Sequence, residues 1–142
     1  MKYMTRILMM AMTLTLLPMM AAAQMQPDAK LVAQVPFDFM IGGKTVPAGQ
    51  FSVQRAAPGS IALAMRNRDA KVSVVTNAAR DERKTPAAAN TLVFNKYGHH
   101  YFLSQVKVEG SKVVYELPQG RAEAELQAQN PQAREEILLA LR

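Results

Sequence analysis

Cysteine and tryptophan are both missing from the 142 residues, and histidine occurs only twice. Without a thiol there is no disulfide framework, no thiolate nucleophile, no iron–sulfur cluster and no cysteine-ligated zinc. No lipid can be attached through a cysteine either. The two histidines, His99 and His100, are adjacent. Neighbours on an extended chain point to opposite faces, so they do not converge on a metal. They read as turn residues that could at most make a pH-sensitive loop. Ser73 and Ser104 lack the Gly-x-Ser-x-Gly elbow that exposes a hydrolase nucleophile. Gly42-Gly43 joins two strands and opens no helix, which removes a phosphate loop. Asp38 has no second carboxylate to share acid–base work and reads as a surface or turn-supporting acceptor. No catalytic, cofactor-binding or metal site is therefore assigned.

What is present begins with one long apolar run. Lys2 and Arg6 precede residues 7–20, which are rich in Leu, Ile and Met, and Ala21-Ala22-Ala23 follows. This order is that of a secretory signal peptide over residues 1–23, with Gln24 as the new N-terminus. It implies an exported protein, periplasmic or extracellular, and no second such run supplies a transmembrane helix after cleavage. Residues 24–30 read as a flexible leader. The formal charge of +6 falls to +4 once Lys2 and Arg6 are removed. A mild excess of this kind solubilises, and it offers some attraction to an anionic envelope polymer. Nucleic acid is not an expected partner, because no basic stripe carries interleaved aromatics.

Residues 31–118 show period-2 alternation broken by turn signals about every ten residues. Val35, Phe37, Phe39 and Ile41 share one face of an expected strand. Gly42-Gly43 makes a hairpin turn, Pro47-Ala48-Gly49 a second turn, and Pro58-Gly59 a third. Residues 78–90 form the longest expected loop, charged and then small, and the likeliest place for mobility from sequence alone. Phe102, Ser104, Val106 and Val108 are placed on one face. The pattern predicts an all-β fold, mainly an antiparallel sandwich or small barrel. Its inner face is expected to hold Phe37, Phe39, Phe51, Val53, Leu63, Val74, Phe94, Phe102 and Val106.

Residues 119–142 change character and are expected to be helical. Residues 121–128 are strong helix formers. Asn130-Pro131 reads as the start of a second helix, with Ile137, Leu138 and Leu141 as its apolar stripe.

The candidate contact residues for a ligand or partner are Tyr97, His99, His100, Tyr101, Arg80 and Arg83. Tyr97 and Tyr101 belong with Phe94 and Phe102 to an aromatic hairpin, which packs as cross-strand pairs or presents a stacking surface. Arg80 and Arg83 lie in the mixed-charge run of the long loop, an exposed place for a partner to touch.

Three segments also resemble a family of small exported proteins common in acidobacterial genomes. Val35-Pro36-Phe37-Asp38-Phe39-Met40-Ile41-Gly42-Gly43-Lys44-Thr45-Val46-Pro47-Ala48-Gly49-Gln50-Phe51 looks like the opening of that family. Leu92-Val93-Phe94-Asn95-Lys96-Tyr97-Gly98, followed by Tyr101-Phe102-Leu103-Ser104-Gln105, is similar to its middle. Glu116-Leu117-Pro118 with Arg121-Ala122-Glu123 resembles its ending. The resemblance spans residues 35–126. It implies an exported β-rich protein and carries over no functional residue. The chain departs from the family pattern at Gln119-Gly120, where a small residue such as serine is common, and in its extension over residues 130–142.

The resulting expectation is a non-catalytic exported envelope or secreted protein with a binding or structural role. The alternative is a carrier of an apolar or sugar-like small molecule in a β-barrel. An envelope hydrolase, needing a histidine, a carboxylate and a hydroxyl in one cleft, ranks last.

Overall fold

A computed structural model describes residues 30–67, 69–132 and 134–140. The expected signal peptide and nearly all of the leader lie outside these residues. The described chain forms eleven strands, β1 (Leu31–Val35), β2 (Phe39–Ile41), β3 (Lys44–Val46), β4 (Gly49–Arg55), β5 (Ala62–Asn67), β6 (Val72–Asn77), β7 (Ala79–Glu82), β8 (Thr91–Tyr97), β9 (His100–Lys107), β10 (Val113–Glu116) and β11 (Arg134–Ala140), and one helix, α1 (Arg121–Gln129).

Two sheets face each other. Sheet A runs β1-β4-β5-β6, all antiparallel. Sheet B runs β11-β8-β9-β10-β7, and the β2–β3 hairpin joins it through one parallel pair, Met40 with Phe102. No ladder joins β1 to β11 or β6 to β7 among the described residues, so the sheets do not close into a barrel.

The expected continuous strand over residues 35–41 is interrupted, because the chain changes sheets there. Val35 ends a strand of sheet A and Phe39 starts one of sheet B. Pro36, which has no N–H for a ladder, stands at the switch. The return switch is residues 47–48, and Ala48 N–H donates to Asp38 Oδ1 at 2.7 Å, tying the two crossings together. Asp38 is thus a turn-supporting acceptor. Gly42 and Gly43 have φ of +54° and +81°, as a two-residue hairpin turn requires. Gly49 has φ +148°, and a Cβ there would lie 2.6 Å from Asn67 Nδ2. Asn67 is itself buried, its Oδ1 accepting the N–H groups of Asp69 and Ala70 to close the β5–β6 turn.

Phenylalanines fill the space between the sheets. Phe39 stands edge-on to Phe51 and to Phe94, with ring centroids 5.2 Å apart in each pair. Val53, Leu63, Val74, Leu92, Leu103 and Val106 complete the same cluster. Each fully buried phenylalanine here contributes about 1.5–3 kcal/mol relative to exposure. Phe37 is only partly buried and packs against the core.

Phe102 corrects the expected inner face. Val93 pairs with Gln105 and Phe94 with Leu103, so Ser104 is an extra residue on β9. That bulge shifts the alternation by one. Val106 and Leu103 face sheet A, while Phe102 is buried on the opposite face of sheet B, edge-on to Tyr97 at 5.9 Å.

Two further expectations change. The segment 78–90 is not one long loop: β7 pairs with β10 along all four of its residues. Arg83 N–H then donates to Lys112 O, and Ala87 N–H to Ser111 O, which fastens the remainder to the β9–β10 turn. The helical reading holds for α1 and fails beyond it. Asn130 caps the end of α1, its N–H donating to Leu126 O at 3.1 Å. The chain then runs back as β11, paired with β8 from Arg134 opposite Tyr97 to Ala140 opposite Thr91. Strand pairing with β8 overrides the helical propensity of Glu135, Glu136, Leu138 and Leu139. Ile137 and Leu139 turn to the core, and Leu138 is left 62% exposed.

Candidate functional site

The outer face of sheet B carries an uncommon polar arrangement. Strand β8 reads Leu92-Val93-Phe94-Asn95, four consecutive buried residues of which one is an amide. A buried polar group costs about 1–3 kcal/mol if left unpaired. Asn95 is paired on both sides. Its Nδ2 donates to Glu123 Oε1 of α1 at 2.7 Å. Its Oδ1 accepts from Arg134 Nε of β11 at 3.1 Å. Arg134 also reaches Glu136 at 3.0 Å. Glu123 is only 5% exposed, the one charged side chain among the buried residues of the described chain. This relay fixes α1 and β11 to the same strand. Lys96 adds a clasp to β11, its Nζ donating to Glu135 at 3.0 Å.

Between α1 and the sheet lies an open cleft of about 310 Å³. Its walls come from five elements and the β10–α1 link. Asn95 and Tyr97 belong to β8, Ser104 and Gln105 to β9, Glu116 to β10, Glu123 and Gln127 to α1, and Arg134 to β11. The volume stands at the lower end of the range of about 300–1,000 Å³ usual for small-molecule sites. Gln105 Nε2 donates to Glu116 Oε1 at 3.3 Å, and Gln119 Nε2 to Gln127 Oε1 at 2.6 Å. The lining carries two carboxylates, Glu116 and Glu123, and one guanidinium, Arg134. The lining therefore presents many hydrogen-bonding groups and a slight negative excess. Burial raises the Tyr97 phenol above its ordinary range, and the Glu123 charge pushes the same way. Arg134 opposes them.

The sequence-predicted residues are dispersed relative to this cleft. Tyr97 lines it. Arg83 reaches its rim, donating to Glu116 at 3.0 Å while also pairing with Asp81. Exposed His99 and His100 stand at the β8–β9 turn, and neither lines the cleft. Tyr101 stacks on Phe37, ring centroids 3.9 Å apart, on the face toward sheet A. Arg80 lies over the Tyr115 ring at 5.9 Å on that same face. Sequence reasoning missed Asn95, Gln105, Glu116, Glu123 and Arg134 as a group. One signal was available: a lone amide inside the apolar run of β8 must find partners from elsewhere.

Among the described residues, no three His, Cys, Asp or Glu side chains come together in a way that could hold a metal ion. No helix among them is long and apolar enough to cross a membrane. Fold and cleft together define a two-sheet β protein with a helix-covered polar site. No family model, curated protein or solved structure matches this chain.

Proposed function

We propose that this protein is a non-catalytic binding protein of the exported compartment, and that the cleft beneath α1 holds a small, neutral or cationic, hydroxyl- or amine-rich ligand. The observation carrying this reading is the convergence of amide, carboxylate and guanidinium groups from five elements on one cleft, around a buried carboxylate. Such groups fix the orientation of polar ligands. The slight negative excess favours neutral and cationic ligands over anions. The apolar N-terminal run and the resemblance to small exported proteins support the compartment. The alternative of a carrier with an apolar barrel interior has less support, since the two sheets do not close and Phe39, Phe51 and Phe94 pack edge-on between them.

Native mass spectrometry of the protein taken from its own host without denaturation tests the reading. The expected result is an excess mass that disappears on unfolding and is missing from the Gln105→Ala/Gln127→Ala variant. A bare chain mass, or an excess that the variant retains, overturns the assignment to this cleft.

A further inference from the structure

A sheet edge presents backbone donors and acceptors with no ladder partner, and proteins guard such edges with charge, proline, brevity or cover. Most edges of this fold are guarded. β7 carries Arg80, Asp81 and Glu82, and β11 opens with Arg134, Glu135 and Glu136. β3 is only three residues long. β1 lies beside β11 of the other sheet and is followed by Pro36. β6, the far edge of sheet A, is the exception. Val72-Ser73-Val74-Val75-Thr76-Asn77 contains no charged residue and no proline. Its Ser73, Val75 and Asn77 are exposed, Val75 to 62% although it is apolar.

The ladder with β5 shows which backbone groups of β6 are unused. The two strands pair without a bulge, from Ala62 opposite Asn77 to Asn67 opposite Val72. At the next position of the same register, Ala78 N–H donates to Ile61 O at 3.2 Å. Along an antiparallel strand, residues bonded to the neighbour alternate with residues whose groups point away. Val72, Val74 and Thr76 therefore turn their N–H and C=O groups to β5. Ser73, Val75 and Asn77 turn theirs to the open edge. Asn77 O accepts the Thr76 hydroxyl at 3.4 Å, and a carbonyl has a second lone pair to offer.

This edge is self-complementary. When a second β6 is set antiparallel to it about a two-fold axis through Val75, Ser73 lies opposite Asn77, Val75 opposite Val75, and Asn77 opposite Ser73. Each pair exchanges both of its N–H···O bonds, so every outward group finds a partner. The exposed valines meet at the axis, between Ser–Asn pairs on the same face. On the inner face Val74 lies opposite Thr76. No charge on β6 opposes its like. We propose that this protein forms a two-fold symmetric dimer by joining β6 to β6 of a second copy, which makes one continuous sheet from the two copies of sheet A. Such a contact closes on itself and covers the unguarded edge in both copies. An extended segment of another protein could use the same backbone groups, but the near-palindromic order Ser73-x-Val75-x-Asn77 favours a second copy.

Sedimentation equilibrium of the purified protein from micromolar to millimolar concentration tests the proposal. The expected result is a monomer–dimer equilibrium. Val75→Lys sets two ammonium groups against each other at the axis and should weaken association at least about tenfold. Its far-UV circular dichroism should match the parent's, because Val75 is exposed. Val75→Glu should weaken association likewise, and an equimolar mixture of the two variants should dimerise again, because the opposed charges now attract. Amide exchange at Ser73, Val75 and Asn77 should slow as the parent is concentrated and stay fast in Val75→Lys. A monomer at every concentration, a dimer that Val75→Lys leaves intact, a mixture that stays monomeric, or open-ended growth into larger species would each overturn it.

Discussion

The two faces of the β8–β9 hairpin solve the same problem, burial, by different means. Toward sheet A, Leu92, Phe94, Leu103 and Val106 are buried among other apolar side chains. Away from it, Val93, Asn95, Tyr97 and Phe102 are buried as well, beside a helix that brings a carboxylate. The first face is non-directional and gains free energy in proportion to area. The second depends on three side chains meeting with correct hydrogen-bond geometry, and Asn95 stays satisfied only while Glu123 and Arg134 are in place. One face therefore gains its stability from area alone, and the other adds a polar relay that holds only while its geometry does.

That contrast is sharpest under mutation. Phe94→Ala on the apolar face should cost about 3–5 kcal/mol, the usual loss for a truncated buried phenylalanine. Urea unfolding measures it, and a loss under 2 kcal/mol would mean that the space between the sheets collapses readily. Glu123→Ala should cost less, about 1–3 kcal/mol, because it strands the Asn95 donor in a buried place. Glu123→Gln keeps an acceptor for Asn95 and should recover much of that loss. If the alanine variant unfolds like the parent, the relay does not hold α1 to the sheet.

The smallest effect is one of pH. Tyr97 has its phenol pKa raised above the ordinary value of 10.0, first by burial and then by Glu123. The unfolded chain then releases this proton before the folded one does. The contribution to stability is complete below the ordinary value and is lost as pH rises through the raised one. Tyr97→Phe should leave stability near pH 7 almost unchanged and flatten its decline above pH 10. An alkaline limb identical in the two proteins would show that Tyr97 ionises as freely when folded as when unfolded.

Much of the sheet architecture was legible in the sequence because alternation and turn chemistry are local. Gly42-Gly43 announces a hairpin through its own conformational freedom, and residues 121–128 announce a helix through propensity. What was not legible depended on pairing. The bulge at Ser104 leaves no mark on composition, yet it sends Phe102 and Val106 to opposite faces. Ile137 and Leu138 resemble a helical stripe until β8 is seen to take residues 134–140 as a neighbour. The polar cleft is the extreme case. Asn95 stands out only as a lone amide in an apolar run, Gln105, Glu116, Glu123 and Arg134 look like ordinary surface residues, and only the register of four strands and one helix gathers them.

The most direct measurement compares amide spectra of the protein as isolated gently from its host with spectra of the same protein after unfolding, washing and refolding. A cleft that carries a ligand predicts differences confined to Asn95, Tyr97, Gln105, Glu116, Glu123 and Gln127, with the phenylalanine core unchanged. Superimposable spectra, or differences spread through the core, would contradict the account.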